Sequence, residues 1–155
     1  KMRLFDYMDK KLIFLDLHAH SKEEALAEIV KRMKENNAIK NESDLLQEIN
    51  NRETQGGTSL GNGVAIPHAR LKSLDKIVVA MARLSAGIDF GIEDHEPVSL
   101  IFILITPTDR AGEYLKVLAK LSKFLKEREL LKQLFATDTI QATWQLFESV
   151  DNQEI

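Results

Sequence analysis

An almost unbroken apolar run constrains the fold of this chain most strongly. The run is VSLIFILI, from Val98 to Ile105, and a serine is its only polar residue. A strand without polar alternation is expected where both faces are covered, as in the middle of a sheet that carries helices on both sides. The run is also far shorter than the roughly 18 apolar residues of a membrane-spanning helix. We therefore expect it to form the central strand of a covered sheet.

The segments around this run alternate between strand and helix patterns. Shorter strand patterns occur at Lys11–Leu17 and Lys76–Arg83, whereas helical periodicity precedes the glycine-rich segment and dominates the chain after Pro107. The chain has 155 residues and shows no internal repeat or low-complexity linker. This organisation predicts one α/β domain over residues 1–155.

Three helix starts can be predicted from capping residues. Ser21 followed by Glu24 forms a capping box that opens the first helix. Ser43 is the predicted cap of the second helix, and Thr108 or Asp109 is the predicted cap of the helix after the central strand.

Charge and cysteine content limit the class of function. The formal net charge is -3, from 21 basic and 24 acidic residues, so no long-range positive field would attract nucleic acid or an anionic membrane. The chain has no cysteine, which excludes disulfides and thiolate metal sites and favours a cytoplasmic location. A bound anion would therefore be held by local groups.

The sequence DLHAHS offers a possible metal site. Asp16, His18 and His20 alternate along a predicted strand end, which would place three ligands on one face. The run resembles the opening of metal-dependent phosphoesterases of the polymerase-and-histidinol-phosphatase type. Only His68 and His95 remain as further histidines, and the barrel of such enzymes usually needs about 200 residues or more. We expect ordinary polar residues at a strand-to-helix junction and no metal, with a metal hydrolase as the rival hypothesis.

The glycine-rich segment Gly56–Arg70, GGTSLGNGVAIPHAR, is the main candidate for a binding loop. Its glycines can adopt positive φ and bring backbone amides close to an anion, with Thr58 and Asn62 as further hydrogen-bond partners. It matches neither a P-loop nor a dinucleotide-binding fingerprint. Pro67 restricts the residue before it to extended backbone, and His68 follows directly. The segment therefore predicts an ordered loop that orients His68.

A histidine in this position can serve as a nucleophile. The unperturbed pKa of about 6.5 leaves the imidazole largely neutral near pH 7, so one ring nitrogen keeps a lone pair that can attack phosphorus. A guanidinium is the side chain best suited to the transferring oxygens, and Arg52 and Arg70 are the candidates. The alternative is structural, with His68 as a turn residue and Arg52 as a favourable charge at a helix C-terminus.

Two long motifs resemble one family. RETQGGTSLGNGVAIPHAR (Arg52–Arg70) and GIDFGIEDHEPVSLIFILITP (Gly87–Pro107) are similar to the enzyme IIA proteins of the bacterial phosphoenolpyruvate-dependent phosphotransferase system, in the mannitol/fructose type that includes the nitrogen-regulatory IIA proteins. The resemblance implies a mixed sheet of about five strands flanked by helices on both faces. It also implies that His68 accepts a phosphoryl group on Nε2 from phospho-HPr or an HPr-like carrier, that Arg52 is the active-site arginine, and that no cofactor takes part.

We expect the phosphoryl-binding residues to lie in the glycine-rich loop and in the helix after the central strand. We expect Thr58, Asn62 and Gly63 to surround the phosphoryl oxygens. Many relatives carry a second histidine where this chain has Tyr114, whose phenol can donate one hydrogen bond but carries no positive charge near pH 7. His95 replaces the glycine that is usual before the central strand, and we expect it to be an exposed turn residue.

The resemblance leaves the downstream partner open. A sugar-transport member passes its phosphoryl group to an enzyme IIB component, whereas a nitrogen-regulatory member binds target proteins according to its phosphorylation state. A binding module that has lost transfer is a further alternative, since Tyr114 departs from the family pattern. No nucleic acid or membrane insertion is expected in any of these cases.

Overall fold

A mixed sheet with helices on both faces forms the fold. The computed structural model describes residues 2–91 and 96–153, which contain six strands and five α-helices. The strands are β1 Ile13–Leu17, β2 Ser59–Gly61, β3 Val64–Ala65, β4 His68–Arg70, β5 Val78–Ile88 and β6 Val98–Thr106. The helices are α1 Lys22–Glu35, α2 Glu42–Thr54, α3 Ala111–Phe124, α4 Arg128–Ala136 and α5 Ile140–Gln153, preceded by 3-10 helices at Leu4–Tyr7 and Lys10–Leu12.

The sheet has five positions across its width. The strand order is β1-β5-β6-β3-β2, and β4 pairs with β6 on the same side as β3 but further along it. β5 and β6 are antiparallel, as are β2 and β3, whereas the β1–β5, β3–β6 and β4–β6 pairs are parallel. The predicted mixed sheet of about five strands with helices on both faces is therefore confirmed.

The central strand β6 separates two hydrophobic cores. Ile101, Ile103 and Ile105 contribute to the core beneath α1 and α2, whereas Leu100 and Phe102 alternate with them and contribute to the core beneath α3, α4 and α5. Because both faces of β6 are covered, its sequence shows no polar alternation. This confirms the prediction from the apolar run.

The predicted helix caps are correct for α1 and wrong for the other two helices. Ser21 caps α1 by accepting a hydrogen bond from the Glu24 amide at 3.1 Å. α2 begins before Ser43, because the side chain of Asn41 accepts from the Asp44 amide at 3.0 Å and acts as the cap. α3 begins at Ala111 after Arg110, and neither Thr108 nor Asp109 caps it.

Three other element boundaries differ from the sequence pattern. The segment before Ile13 forms a 3-10 helix because Asp9 accepts from the Lys11 amide, so β1 is shorter than predicted. β5 continues to Ile88, and the glycine-rich segment contributes three short strands. The predicted turn containing His95 lies outside the described residues. Within those residues, no helix combines the length and apolar content needed to cross a membrane.

A buried carboxylate joins the two ends of the chain. Asp151 of α5 is 2% exposed, and its two oxygens accept hydrogen bonds from the amides of Leu4 and Phe5, each at 2.9 Å. The Lys120 ammonium of α3 lies 3.4 Å from the same carboxylate and donates to the Met2 carbonyl at 2.6 Å. These bonds hold the N-terminal segment against α3 and α5.

Candidate functional site

A proline lies between β3 and β4 and interrupts the strand that the two would otherwise form, so His68 is the first residue of β4. Pro67 has no amide hydrogen to donate to a ladder, so β3 ends before it and β4 begins after it. The Pro67 carbonyl still accepts from the Leu104 amide of β6 at 3.0 Å, which keeps the segment against the sheet. His68 therefore lies opposite Leu104, at a fixed place beside the central strand.

Two hydrogen bonds define the tautomer of the His68 ring. Nδ1 lies 2.8 Å from the carbonyl oxygen of Ile66, and Nε2 lies 3.2 Å from Nε of Arg52. A carbonyl can only accept and a guanidinium can only donate, so Nδ1 carries the hydrogen and Nε2 carries the lone pair. The ring therefore presents Nε2 as its basic and nucleophilic atom.

The surroundings of His68 favour the neutral ring. Burial lowers the pKa of His68 most strongly, and the nearby positive charge of Arg52 lowers this pKa further. The hydrogen bond to Ile66 and the negative charge of Glu53 act in the opposite direction, but the net shift is downward. His68 is only half-buried, so the neutral ring also remains accessible to a visiting group.

Arg52 is held in place by the end of its own helix. It lies in the last turn of α2, and its Nη1 donates to the carbonyl of Gly56 at 2.8 Å while Nε donates to His68. Gly56 has a φ of 138°, which side-chain-bearing residues rarely adopt. The chain reversal after α2 thus brings a carbonyl back to the guanidinium, and the two contacts orient Arg52 towards the imidazole.

Thr58 is engaged by a buried carboxylate. The Glu53 side chain is 5% exposed, and its Oε2 accepts from the Thr58 hydroxyl at 2.5 Å. The Lys22 ammonium lies 2.7 Å from Oε1, so this oxygen is charge-compensated, although the direction of approach is not that of a regular hydrogen bond. Because its hydrogen is donated to Glu53, the Thr58 hydroxyl fastens the loop to α2 and is not directed at His68.

The structure does not bring Asn62 and Gly63 to His68, contrary to the sequence prediction. They form the turn between β2 and β3 with φ values of 57° and 81°. The next residue, Val64, pairs with Leu100 of β6, whereas His68 pairs with Leu104. Four residues of strand correspond to about 13 Å. The glycine-rich turn therefore lies towards the other end of the sheet, and the part of the loop that returns beside Ile66 is the Thr58 region.

Tyr114 does lie next to His68. Its ring centroid is 6.1 Å from that of the imidazole with an interplanar angle of 52°, and the tyrosine is 5% exposed. Burial raises the pKa of Tyr114 above its ordinary value, so the phenol is protonated at neutral pH. The guanidinium carbon of Arg70 lies 6.0 Å from the centroid of the same tyrosine ring. Sequence reasoning named Arg70 only as an alternative to Arg52.

These side chains line one open cavity of about 390 Å³. His68, Arg52, Arg70 and Tyr114 contribute to its wall. Leu115, next to Tyr114, also lines it and is 57% exposed. The cavity thus combines a nucleophilic nitrogen, two guanidinium groups and a phenol with the carboxylate of Glu48 and an exposed apolar side chain.

The residues of DLHAHS are engaged separately. Nδ1 of His18 hydrogen-bonds Ser85 at 2.7 Å, His20 is paired with Glu24 at 3.3 Å, and Asp16 is paired with Arg32 at 3.4 Å. β1 ends before His18, so the strand alternation that would align the three does not extend to His20. In the part of the chain that the structure describes, no group of three histidine or acidic side chains could hold a metal ion.

Comparison with known proteins gives one consistent result. The family model of the phosphoenolpyruvate-dependent sugar phosphotransferase system, EIIA 2, matches residues 6–150. A nitrogen regulatory protein of Bradyrhizobium diazoefficiens is 35% identical over 143 residues, which are 92% of this chain and 93% of that relative.

Solved structures show the same fold. The nitrogen regulatory protein IIA-Ntr of Neisseria meningitidis is 30% identical with a TM-score of 0.85, over 92% of this chain and 97% of that one. Enzyme IIA-Mtl of Escherichia coli, in its complex with phosphorylated enzyme IIB-Mtl, matches at 20% identity with a TM-score of 0.74, over 90% and 95%. With the match of the family model to nearly the whole chain, these findings establish that the chain belongs to the EIIA 2 family of the phosphoenolpyruvate-dependent sugar phosphotransferase system.

Proposed function

We propose that this chain is a cytoplasmic phosphoryl carrier that accepts a phosphoryl group from HPr or an HPr-like carrier on Nε2 of His68. The observation that carries the proposal is the pair of hydrogen bonds around the imidazole. The Ile66 carbonyl holds the hydrogen on Nδ1, so the lone pair is on Nε2, in a cavity that also contains Arg52.

The transfer balances without a proton shift. The lone pair of Nε2 attacks phosphorus in line, a P–N bond forms, and the bond between phosphorus and the donor breaks with its electron pair leaving on the donor. The hydrogen on Nδ1 stays in its bond to Ile66, and the phosphorylated ring becomes cationic. The Ile66 carbonyl stabilises that charge, and the cationic ring is a good leaving group for onward transfer.

Arg52 changes partner in this scheme. In the unphosphorylated chain its Nε donates to the Nε2 lone pair, so the guanidinium must release that nitrogen before phosphorus can approach. The anchor from Nη1 to Gly56 keeps the guanidinium beside the ring, where it can donate to the phosphoryl oxygens. The Tyr114 hydroxyl has no hydrogen-bond partner among the described residues and is the proposed second donor.

Thr58 has an indirect role in this proposal. Its bond to Glu53 fixes the loop whose Gly56 carbonyl anchors Arg52. Asn62 and Gly63 shape the distant turn and are not assigned to phosphoryl binding, given their separation from His68 along β6.

Phosphorylation-dependent binding of regulatory targets is the output that we favour. This choice is supported by the two relatives described above that are at least 30% identical, from Bradyrhizobium diazoefficiens and Neisseria meningitidis. Both are named nitrogen regulatory proteins. A phosphoryl group adds about -1.5 to -2 charges to the site, which changes the partner surface that it can contact. Onward transfer to an enzyme IIB component is the second candidate, supported by the fold shared with the IIA-Mtl of the IIB complex.

Phosphoryl uptake tests the proposal directly. The chain is incubated with phosphoenolpyruvate, enzyme I and HPr, and uptake is compared between the native chain, His68→Ala and the control His18→Ala, which removes another hydrogen-bonded histidine. We expect uptake by the native chain and the control and none by His68→Ala. Uptake that persists in His68→Ala would refute the proposal, and no uptake by the native chain would favour a binding module without transfer.

A further inference from the structure

The cavity contains a second arginine that is not engaged by a carboxylate. Arg70 is exposed, and among residues 2–91 and 96–153 no acidic oxygen lies within 4.0 Å of its guanidinium nitrogens. Arg3, Arg32 and Arg110, in contrast, each pair with a nearby carboxylate. A guanidinium that has no carboxylate partner and lines the same cavity as a nucleophilic imidazole is available to bind an anion.

The strand geometry places this guanidinium on the same side as His68. The two residues are separated by one position in β4, and alternate residues of a strand project to the same face. Ala69, between them, is buried on the opposite face. Cα atoms two positions apart in a strand are about 6.5 Å apart, a distance that the long arginine side chain can span.

Tyr114 is the common neighbour of both side chains. Its ring centroid lies 6.1 Å from the imidazole centroid and 6.0 Å from the guanidinium carbon of Arg70. The second distance is at the outer limit of a cation–π contact. The aromatic ring is thus a shared neighbour of the imidazole and of the guanidinium.

We propose that Arg70 is a phosphoryl-binding residue, which supplies beside Tyr114 the positive charge that a phenol lacks. This inference rests on the proposed phosphorylation of His68. Arg52 contacts Nε2 from α2, whereas Arg70 lines the same cavity from β4, so in this proposal guanidinium groups from two different elements bind the phosphoryl oxygens. In this proposal the ring of Tyr114 orients Arg70, and the Tyr114 hydroxyl donates one further hydrogen bond to a phosphoryl oxygen.

The test uses Arg70→Gln with Lys72→Gln as a matched control. Lys72 is an exposed cation two residues further along the chain, so both variants lose one positive charge. In the phosphorylated protein, the pKa of the phosphoryl group is followed by ³¹P NMR, because a bound guanidinium favours the dianion. The transfer rate from HPr is measured in single turnovers at saturating carrier.

We expect Arg70→Gln to raise the phosphoryl pKa and to slow transfer about tenfold, since one charge-assisted hydrogen bond is lost. Lys72→Gln should leave both quantities close to native values. Equal phosphoryl pKa values and rates in Arg70→Gln and the native chain would overturn the inference while leaving the role of His68 intact. A native chain that takes up no phosphoryl group would instead overturn the proposed function, and the role of Arg70 with it.

Discussion

Replacement of Arg52 by lysine separates the shape of the guanidinium from its charge. In the structure, Arg52 uses Nε to reach His68 and Nη1 to reach the Gly56 carbonyl at the same time. A lysine keeps the positive charge but has one nitrogen, so it cannot make both contacts with the geometry of the planar fork. Arg52→Gln removes the charge as well and provides the comparison.

The magnitude follows from the contacts that are lost. A charge-assisted hydrogen bond contributes about 1.5–3 kcal/mol, so the loss of one directed donor in Arg52→Lys corresponds to about a 10- to 150-fold slower transfer. Loss of a preorganised donor to a developing oxyanion costs about 10²- to 10³-fold. Arg52→Gln should therefore be slower than Arg52→Lys and lie in that range.

Rapid-quench single turnovers with saturating phospho-HPr measure the chemical step without interference from docking. An NMR titration of the His68 ring provides the second readout, because Arg52 lowers the pKa of His68. The pKa should rise in Arg52→Gln and change little in Arg52→Lys. A rate for Arg52→Gln within about twofold of the native rate would refute the role assigned to the guanidinium.

Three further predictions concern stability. Asp151→Ala should destabilise the chain by about 3–5 kcal/mol because Lys120 loses its buried carboxylate, and a melting temperature lowered by on the order of 10 °C would show this; an unchanged melting temperature would contradict it. Thr58→Val should cost about 1–3 kcal/mol because Glu53 loses a donor, whereas Thr58→Ser should retain most of the stability in urea denaturation; equal losses would contradict the proposed bond. Folding lowers the pKa of His68. The contribution of this shift to the free energy of unfolding is therefore complete above about pH 6.5 and is lost as the pH falls through the folded-state pKa. His68→Gln should therefore lose less stability than the native chain between pH 7.5 and 5.5, and equal losses in the two proteins would be inconsistent with the shift.

The strongest sequence patterns predicted the framework because they arise from burial. β6 lacks polar alternation because cores cover both of its faces, so its apolar run predicted a central strand. Ser21 was recognised as a cap because the cap and its amide partner are only three residues apart. The predictions based on Ser43, Thr108 and Asp109 were wrong, since several neighbouring residues can cap a helix and the packing of the helix decides among them.

The composition of the site was harder to predict because it depends on register and on distant contacts. Asn62 and Gly63 belong to the same glycine-rich segment as His68, but the β2–β3 pairing places them towards the other end of β6. The Thr58 hydroxyl is taken by Glu53, a partner that loop composition does not reveal. The proximity of Arg70 to Tyr114 depends on the packing of α3 beside β4, which the sequence pattern does not specify.

The most direct measurement of the central claim identifies the phosphorylated atom. The chain is labelled with ¹⁵N in its histidine rings, phosphorylated through enzyme I and HPr, and examined by ³¹P and ¹⁵N NMR. We predict coupling of phosphorus to Nε2 of His68, with a hydrogen retained on Nδ1 as its bond to the Ile66 carbonyl requires. Coupling of phosphorus to Nδ1, or phosphorylation of another residue, would contradict the account.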